Sequence, residues 1–243
     1  MSWTVVFMMD RLTQIKVVEL RKKWGFDCYT PINLLQTAID KIDNLTLIWM
    51  PLKENFGGCC YKNENNSLIL INSNNSKGRQ NFTIAHEIYH LLYDGKNFGM
   101  CEFNNKSRDE NLANEFASGL LMPEYALYDF MSINNIEKWS IDDIIRCEQY
   151  YQIDHNVFLD RLKSDNLITD EEFLEFKKDI VKKATLMGYD VDLYLKSDEK
   201  HEFFSLGKII PLTEKIYCDE KISKGKKRDI LSSVFRQDIS FMN

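Results

Sequence analysis

The five residues HEIYH, from 86 to 90, constrain this chain more than any other stretch. The chain has four histidines, and two of them, His86 and His90, stand four positions apart with Glu87 beside the first. On a helix of about 3.6 residues per turn such positions lie nearly above one another, so two imidazoles can converge on one ion. Glu87 projects to the side of that pair, badly placed to ligate the same ion and well placed to reach a water bound there. The pattern therefore calls for a helix that presents a polar face to a cleft. Ile84, Ala85, Ile88, Leu91 and Leu92 are expected on the side opposite the histidines as core anchors, with Thr83 and Tyr93 on the histidine face. Gly95 behind Asp94 reads as the helix stop.

A catalytic zinc normally takes three protein ligands, so a third must come from elsewhere. His155 and His201 lie far along the chain without a supporting pattern and read as structural or surface residues. The next helical stretch, SRDENLANEFASGLLMP, ends at Pro123 and offers Asp109, Glu110 and Glu115. Glu110 follows His90 by 20 residues, enough for a loop and an antiparallel return. Asn114, one turn further on the same face, could hold a histidine ring from behind. Glu115 points a quarter turn or more away. Spacing favours Glu110 without settling the choice among the three acids.

The rest of the chain supplies a scaffold. TPINLLQTAIDKI reads as a helix with Thr30 as N-cap and Pro31 in its first turn. LTLIWM (45–50), GGCCYK (57–62) and SLILIN (67–72) read as short strands of a small antiparallel sheet. Beyond residue 132 the pattern is helical: Ser140 caps one helix, Asp154 another, and Thr169 with Glu172 forms a capping box for a helix running to about Lys183. After about Gly188 the elements become short and mixed. KGKKR (224–228) reads as a solvated turn, Cys59 and Cys60 as buried or half-buried strand residues, and Tyr150 and Tyr151 as packing between helices.

At 243 residues and 44% hydrophobic composition the chain can bury a sizeable core. Its net charge of -6 argues against a general nucleic-acid binder. MSWTVVFMMDRL lacks the positive leader and cleavage site of a signal peptide, and no apolar run is long enough to span a bilayer. Six cysteines are scattered rather than framed, which points to a reducing, cytoplasmic setting.

FTIAHEIYHLLY followed by ENLANEFASGLLMP resembles the ImmA/IrrE family of metallopeptidases, whose pattern is roughly F-T-x-A-H-E-x-x-H and then E-x-x-A-N-x-F-A-x-x-L-L-M-P. The likeness is strong over residues 67–132 and weaker to Lys183. Carried over by motif position, it implies Zn2+ held by His86, His90 and Glu110, Glu87 as catalytic base, and Asn114 beside the ligands. Tyr89 departs from it, standing where the family commonly has a small residue. The resemblance further implies an α+β, zincin-like fold: a small antiparallel or mixed sheet, an active-site helix, a glutamate-bearing helix and a mainly helical C-terminal region. The corresponding division is a metallopeptidase domain over 1–132, a helical region over 133–187 packed on it, and a C-terminal region over 188–243 of unassigned role. The implied activity is intracellular zinc-dependent endopeptidase cleavage of a regulatory protein, a helix-turn-helix repressor, in a mobile-element or stress circuit. The peptide would lie along SLILIN as an exposed strand. Two other readings share these residues: a zinc-binding interaction module that does not cut, and a toxin-like component of a toxin–antitoxin pair.

Overall fold

The computed structural model describes residues 10–53, 55–94, 98–102 and 107–240. Its centre is a five-stranded mixed sheet in the order β4-β2-β3-β1-β5. β1 (Leu45–Met50), β2 (Phe56–Lys62) and β3 (Ser67–Asn72) fall where the alternating apolar runs predict them. The pairing is not wholly antiparallel, as expected above. β2 folds back on β3 through the Asn63–Asn66 turn, whereas β1 lies on the other side of β3 and runs parallel to it, Leu47 opposite Ile69 and Trp49 opposite Ile71. That register stacks the buried residues of both strands on one face. β4 (Phe98–Glu102) pairs antiparallel with β2, and β5 (Phe204–Gly207), far along the chain, pairs antiparallel with β1.

β3 therefore has a neighbour on each side, and the expectation that SLILIN offers an open edge to a peptide is wrong. An apolar run of this kind is the one most suited to the middle of a sheet.

Two helices dominate the packing. α3 (Lys77–Tyr93), capped by Ser76, carries HEIYH across the sheet, and α4 (Arg108–Leu121), capped by Ser107, lies against it. Every α3 side chain from Phe82 to Leu91 is buried, because the sheet covers one side and α4 the other. Leu92, expected in the core, is exposed: it lies where the helix runs out from under both layers. Gly95 lies outside the described residues. Two arginines, Arg21 buried and Arg161 partly buried, hold the far end of α4. Arg21 of α1 (Arg11–Trp24) donates to the Leu120 carbonyl at 2.6 Å, and Arg161 donates to that of Met122. These carbonyls are among the four that a helix C-terminus leaves without internal partners.

Three boundaries move for local reasons. α2 is Leu34–Lys41 with Asn33 as its cap, not Thr30, because Asp27 engages both the Thr30 N–H and its hydroxyl. α5 (Glu124–Ile133), α6 (Ile141–Tyr151) and α7 (His155–Ser164) follow, the last two capped by Ser140 and Asp154 as expected. The Thr169–Glu172 capping box opens α8 (Asp170–Phe176), but the helix stops there. Asp179 adopts φ 51° and α9 (Ile180–Leu186) starts afresh. After a short 3-10 turn (Asp192–Tyr194) and β5 come α10 (Ile209–Cys218), α11 (Lys224–Ser233) and α12 (Gln237–Ser240). KGKKR is thus the start of α11, capped by Ser223, rather than a turn. Lys227 in it is buried against Glu214 at 2.8 Å and the Tyr217 ring. Tyr151 is buried between helices as expected, while Tyr150 is exposed. Among the described residues no helix is long and apolar enough to cross a membrane.

Candidate metal centre

The α3–α4 pair brings His86, His90 and Glu110 together. His86 Nε2 and His90 Nε2 are 3.1 Å apart, and the Glu110 carboxylate lies 3.1 Å from the first and 3.6 Å from the second. All three side chains are buried. Among the described residues this is the one group of three whose ligand atoms converge within 4.8 Å. Of the three acids left open by spacing, Glu110 points inward. Glu115 instead accepts from the Asp10 N–H at 2.8 Å, and Asp109 is exposed.

The outer ring nitrogens determine what the inner ones can do. His86 Nδ1 lies 2.9 Å from the Asn114 carbonyl oxygen and His90 Nδ1 lies 3.0 Å from the Asp94 carboxylate. Both partners are acceptors, so each Nδ1 carries the proton and each Nε2 turns a lone pair inward. Two lone pairs and a carboxylate then face one another in a buried space. A proton shared among them or a cation between them satisfies such a set, and nitrogen and oxygen donors of this number suit a divalent transition metal with an open position. The residues present thus fit a metal.

Glu87 stands beside this group with both carboxyl oxygens buried and without a hydrogen-bond partner of regular geometry. Burial pushes its carboxyl up to about 7; the Cys60 thiol and His90 pull it down, and the Glu110 charge adds to the rise. A carboxyl in that range is suited to exchange protons at neutral pH. Tyr89 does not enter the cleft. Its ring packs 5.5 Å from that of Phe116, and its hydroxyl lies 3.4 Å from Lys16 Nζ on α1.

Of the other histidines, His155 is buried and bonded to Glu148, and His201 is exposed beside Asp198. Two contacts of the centre were not anticipated from the sequence. Asp94 was legible, since it follows His90 by one turn, but a residue ahead of a glycine reads first as a helix end. Cys60 gave no signal, because its contact depends on how the sheet packs against α3.

Residues 52–163 match the IrrE N-terminal-like domain of peptidase family M78. The radiation response metalloprotease IrrE of Deinococcus deserti is 34% identical over 98 residues, which make up 37% of this chain and 34% of that protein. The aligned part thus spans about a third of the relative's length. The matched segment contains His86, Glu87, His90, Glu110 and Asn114. Over residues 52–163 the chain is thus similar to the IrrE-type metallopeptidases, and within that segment His86, His90 and Glu110 converge as a group that could hold a metal ion.

Proposed function

We propose that this protein is an intracellular zinc endopeptidase that selectively cuts a regulatory protein, a helix-turn-helix repressor, and so relieves repression. The observation that carries the reading is the pairing of a converging His86, His90 and Glu110 group with a buried carboxyl that has no regular partner. His86 Nε2, His90 Nε2 and a Glu110 oxygen would hold the zinc, with Asn114 and Asp94 fixing the rings. Bound there, zinc supplies Lewis acidity and brings the pKa of a water close to neutrality. Glu87 takes a proton from the attacking water at a carboxyl oxygen and returns it to the leaving amine nitrogen. An extended peptide needs a strand edge to pair with, and among the described residues β4 pairs with β2 alone. β5, paired with β1 alone, is the other edge, but β4 packs against α3, which carries HEIYH, so β4 rather than β3 is the proposed strand for the substrate.

The test compares new protein N-termini in cells expressing wild type and Glu87→Gln, with the metal content of both purified proteins measured alongside. One or a few new ends in a DNA-binding regulator, made by wild type alone, are expected. A Glu87→Gln protein that keeps zinc and the full biological effect would instead identify a binding module that does not cut. Growth arrest by wild type, relieved by a neighbouring protein, would identify a toxin.

A further inference from the structure

β2 runs along α3 in a register that can be followed at two positions. A Cβ placed on Gly58 would come within 2.7 Å of Thr83 Cγ2, so strand and helix touch there with no room to spare. At the other end, Lys62 Nζ donates to the Leu91 carbonyl at 2.9 Å. Alternate strand residues share a face and residues four apart share a helix face, so the pairs Gly58 with Thr83 and Lys62 with Leu91 bracket a third pair. Two strand residues advance about 6.6 Å and one helical turn of four about 6 Å, so the steps match. The middle pair is Cys60 with Glu87.

Cys60 is 3% exposed, and its thiol pulls the Glu87 carboxyl down against the rise that burial causes. It does not belong to the group whose ligand atoms converge, which comprises His86, His90 and Glu110. Its neighbour Cys59 lies on the alternate side of the strand, and burial with the nearby Glu87 charge raises that thiol to about 11. A thiol is a weak donor. It can orient a carboxyl while leaving both oxygens able to exchange a proton, which a hydroxyl or amide would do less well.

We propose that Cys60 is a positioning residue for Glu87, its thiol fixing the carboxyl on the side of α3 that borders the metal ligands. The inference rests on the peptidase reading for its consequence, but the contact exists or fails independently of it.

The contact is tested first, by Raman spectroscopy of the metal-free full chain. The S–H stretch of Cys60 is assigned from the spectrum that Cys60→Ala removes. It is expected on the low-frequency, hydrogen-bonded side in wild type and at higher frequency in Glu87→Ala. A band that stays in place when Glu87 is removed overturns the proposal, whether or not the protein is a peptidase. The second arm uses a synthetic peptide spanning the bond cut in cells. Cys60→Ala is expected to lower kcat about tenfold to a hundredfold, with KM and zinc content unchanged, and Cys60→Ser to recover only part of it. Unchanged kcat in Cys60→Ala also overturns the proposal. Should wild type cut no peptide, the peptidase reading falls and the Raman shift alone decides whether Cys60 holds Glu87.

Discussion

At the junction of α6, α7 and the 3-10 turn, Glu148 is fully buried, its Oε1 2.7 Å from His155 Nδ1 and its Oε2 accepting from the Tyr194 hydroxyl at 2.8 Å. On α3, Glu87 is equally buried, yet neither of its oxygens has a regular partner, and the histidines beside it turn lone pairs toward a second carboxylate. The two clusters share residue types and depth. They differ in where the hydrogen bonds go. Burial pushes the Glu148 carboxyl up, but His155 and Tyr194 pull it back and close the group on itself, leaving His155 Nε2 as its loose end. The α3 cluster ties the outer faces of its rings to Asn114 and Asp94 and turns its inner atoms onto one another and onto Glu110, beside a carboxyl without a regular partner. Buried charge alone does not mark a site. Potential ligand atoms arranged to converge, next to a buried carboxyl left open, mark one.

The comparison breaks most easily at Glu87 itself. Glu87→Gln keeps the shape and removes the base, so hydrolysis of the cleaved peptide should fall about 10²- to 10⁴-fold. Zinc content should stay the same, because Glu87 is outside the ligand group. Steady-state kinetics and metal analysis on one preparation read both. Hydrolysis retained in full would remove Glu87 from the chemistry and leave its missing partners without a functional account.

Glu148 should behave in the opposite way. Glu148→Ala strands His155 Nδ1 and the Tyr194 hydroxyl in the interior, and breaking a buried pair by removing one partner costs about 3–5 kcal/mol. Urea unfolding of the metal-free protein measures it. Zinc bound per folded molecule should not change. A loss of stability below about 1 kcal/mol would mean that water satisfies the stranded groups and that the cluster is less closed than its geometry implies.

The two regions were not equally legible in the sequence. His86, Glu87 and His90 are tied by helical periodicity, so their arrangement follows from the helix alone. Glu110 needed the return of a second helix, and spacing left it beside Asp109 and Glu115 until the packing of α4 turned it inward. The Glu148–His155 contact crosses from one helix to the next, and Tyr194 arrives from 46 residues further on. No local pattern encodes that. The strands were readable for the same reason as α3, by period, but their order was not. The parallel pairing of β1 with β3 and the late arrival of β5 are decisions of tertiary packing.

A smaller effect separates the rings from what holds them. Asp94→Ala and Asn114→Ala each free one imidazole without removing a ligand, and zinc affinity should fall about 10- to 100-fold in each. Competition against a chelator of known affinity measures it. Should Asp94→Ala leave affinity unchanged while Asn114→Ala lowers it, the Nδ1 proton of His90 is fixed by packing, and the outer hydrogen bonds count unequally.

The smallest expected effect lies at Tyr89, next to a ligand in sequence and outside the cluster in space. Its ring is edge-on to His90 with centroids 5.7 Å apart, while its hydroxyl points away toward Lys16, whose Nζ also lies 4.8 Å and 5.0 Å from the centroids of Tyr89 and Tyr93. Tyr89 fills the space between α1, α3 and α4 with an aromatic ring. Tyr89→Phe removes only the 3.4 Å hydroxyl contact and should cost about 0.5 kcal/mol of stability, with zinc affinity unchanged. Thermal unfolding with and without zinc reads both. If the zinc-dependent rise in Tm shrinks in Tyr89→Phe, the hydroxyl's hold on α1 is felt at His90, and Tyr89 belongs to the open cluster rather than to the scaffold behind it.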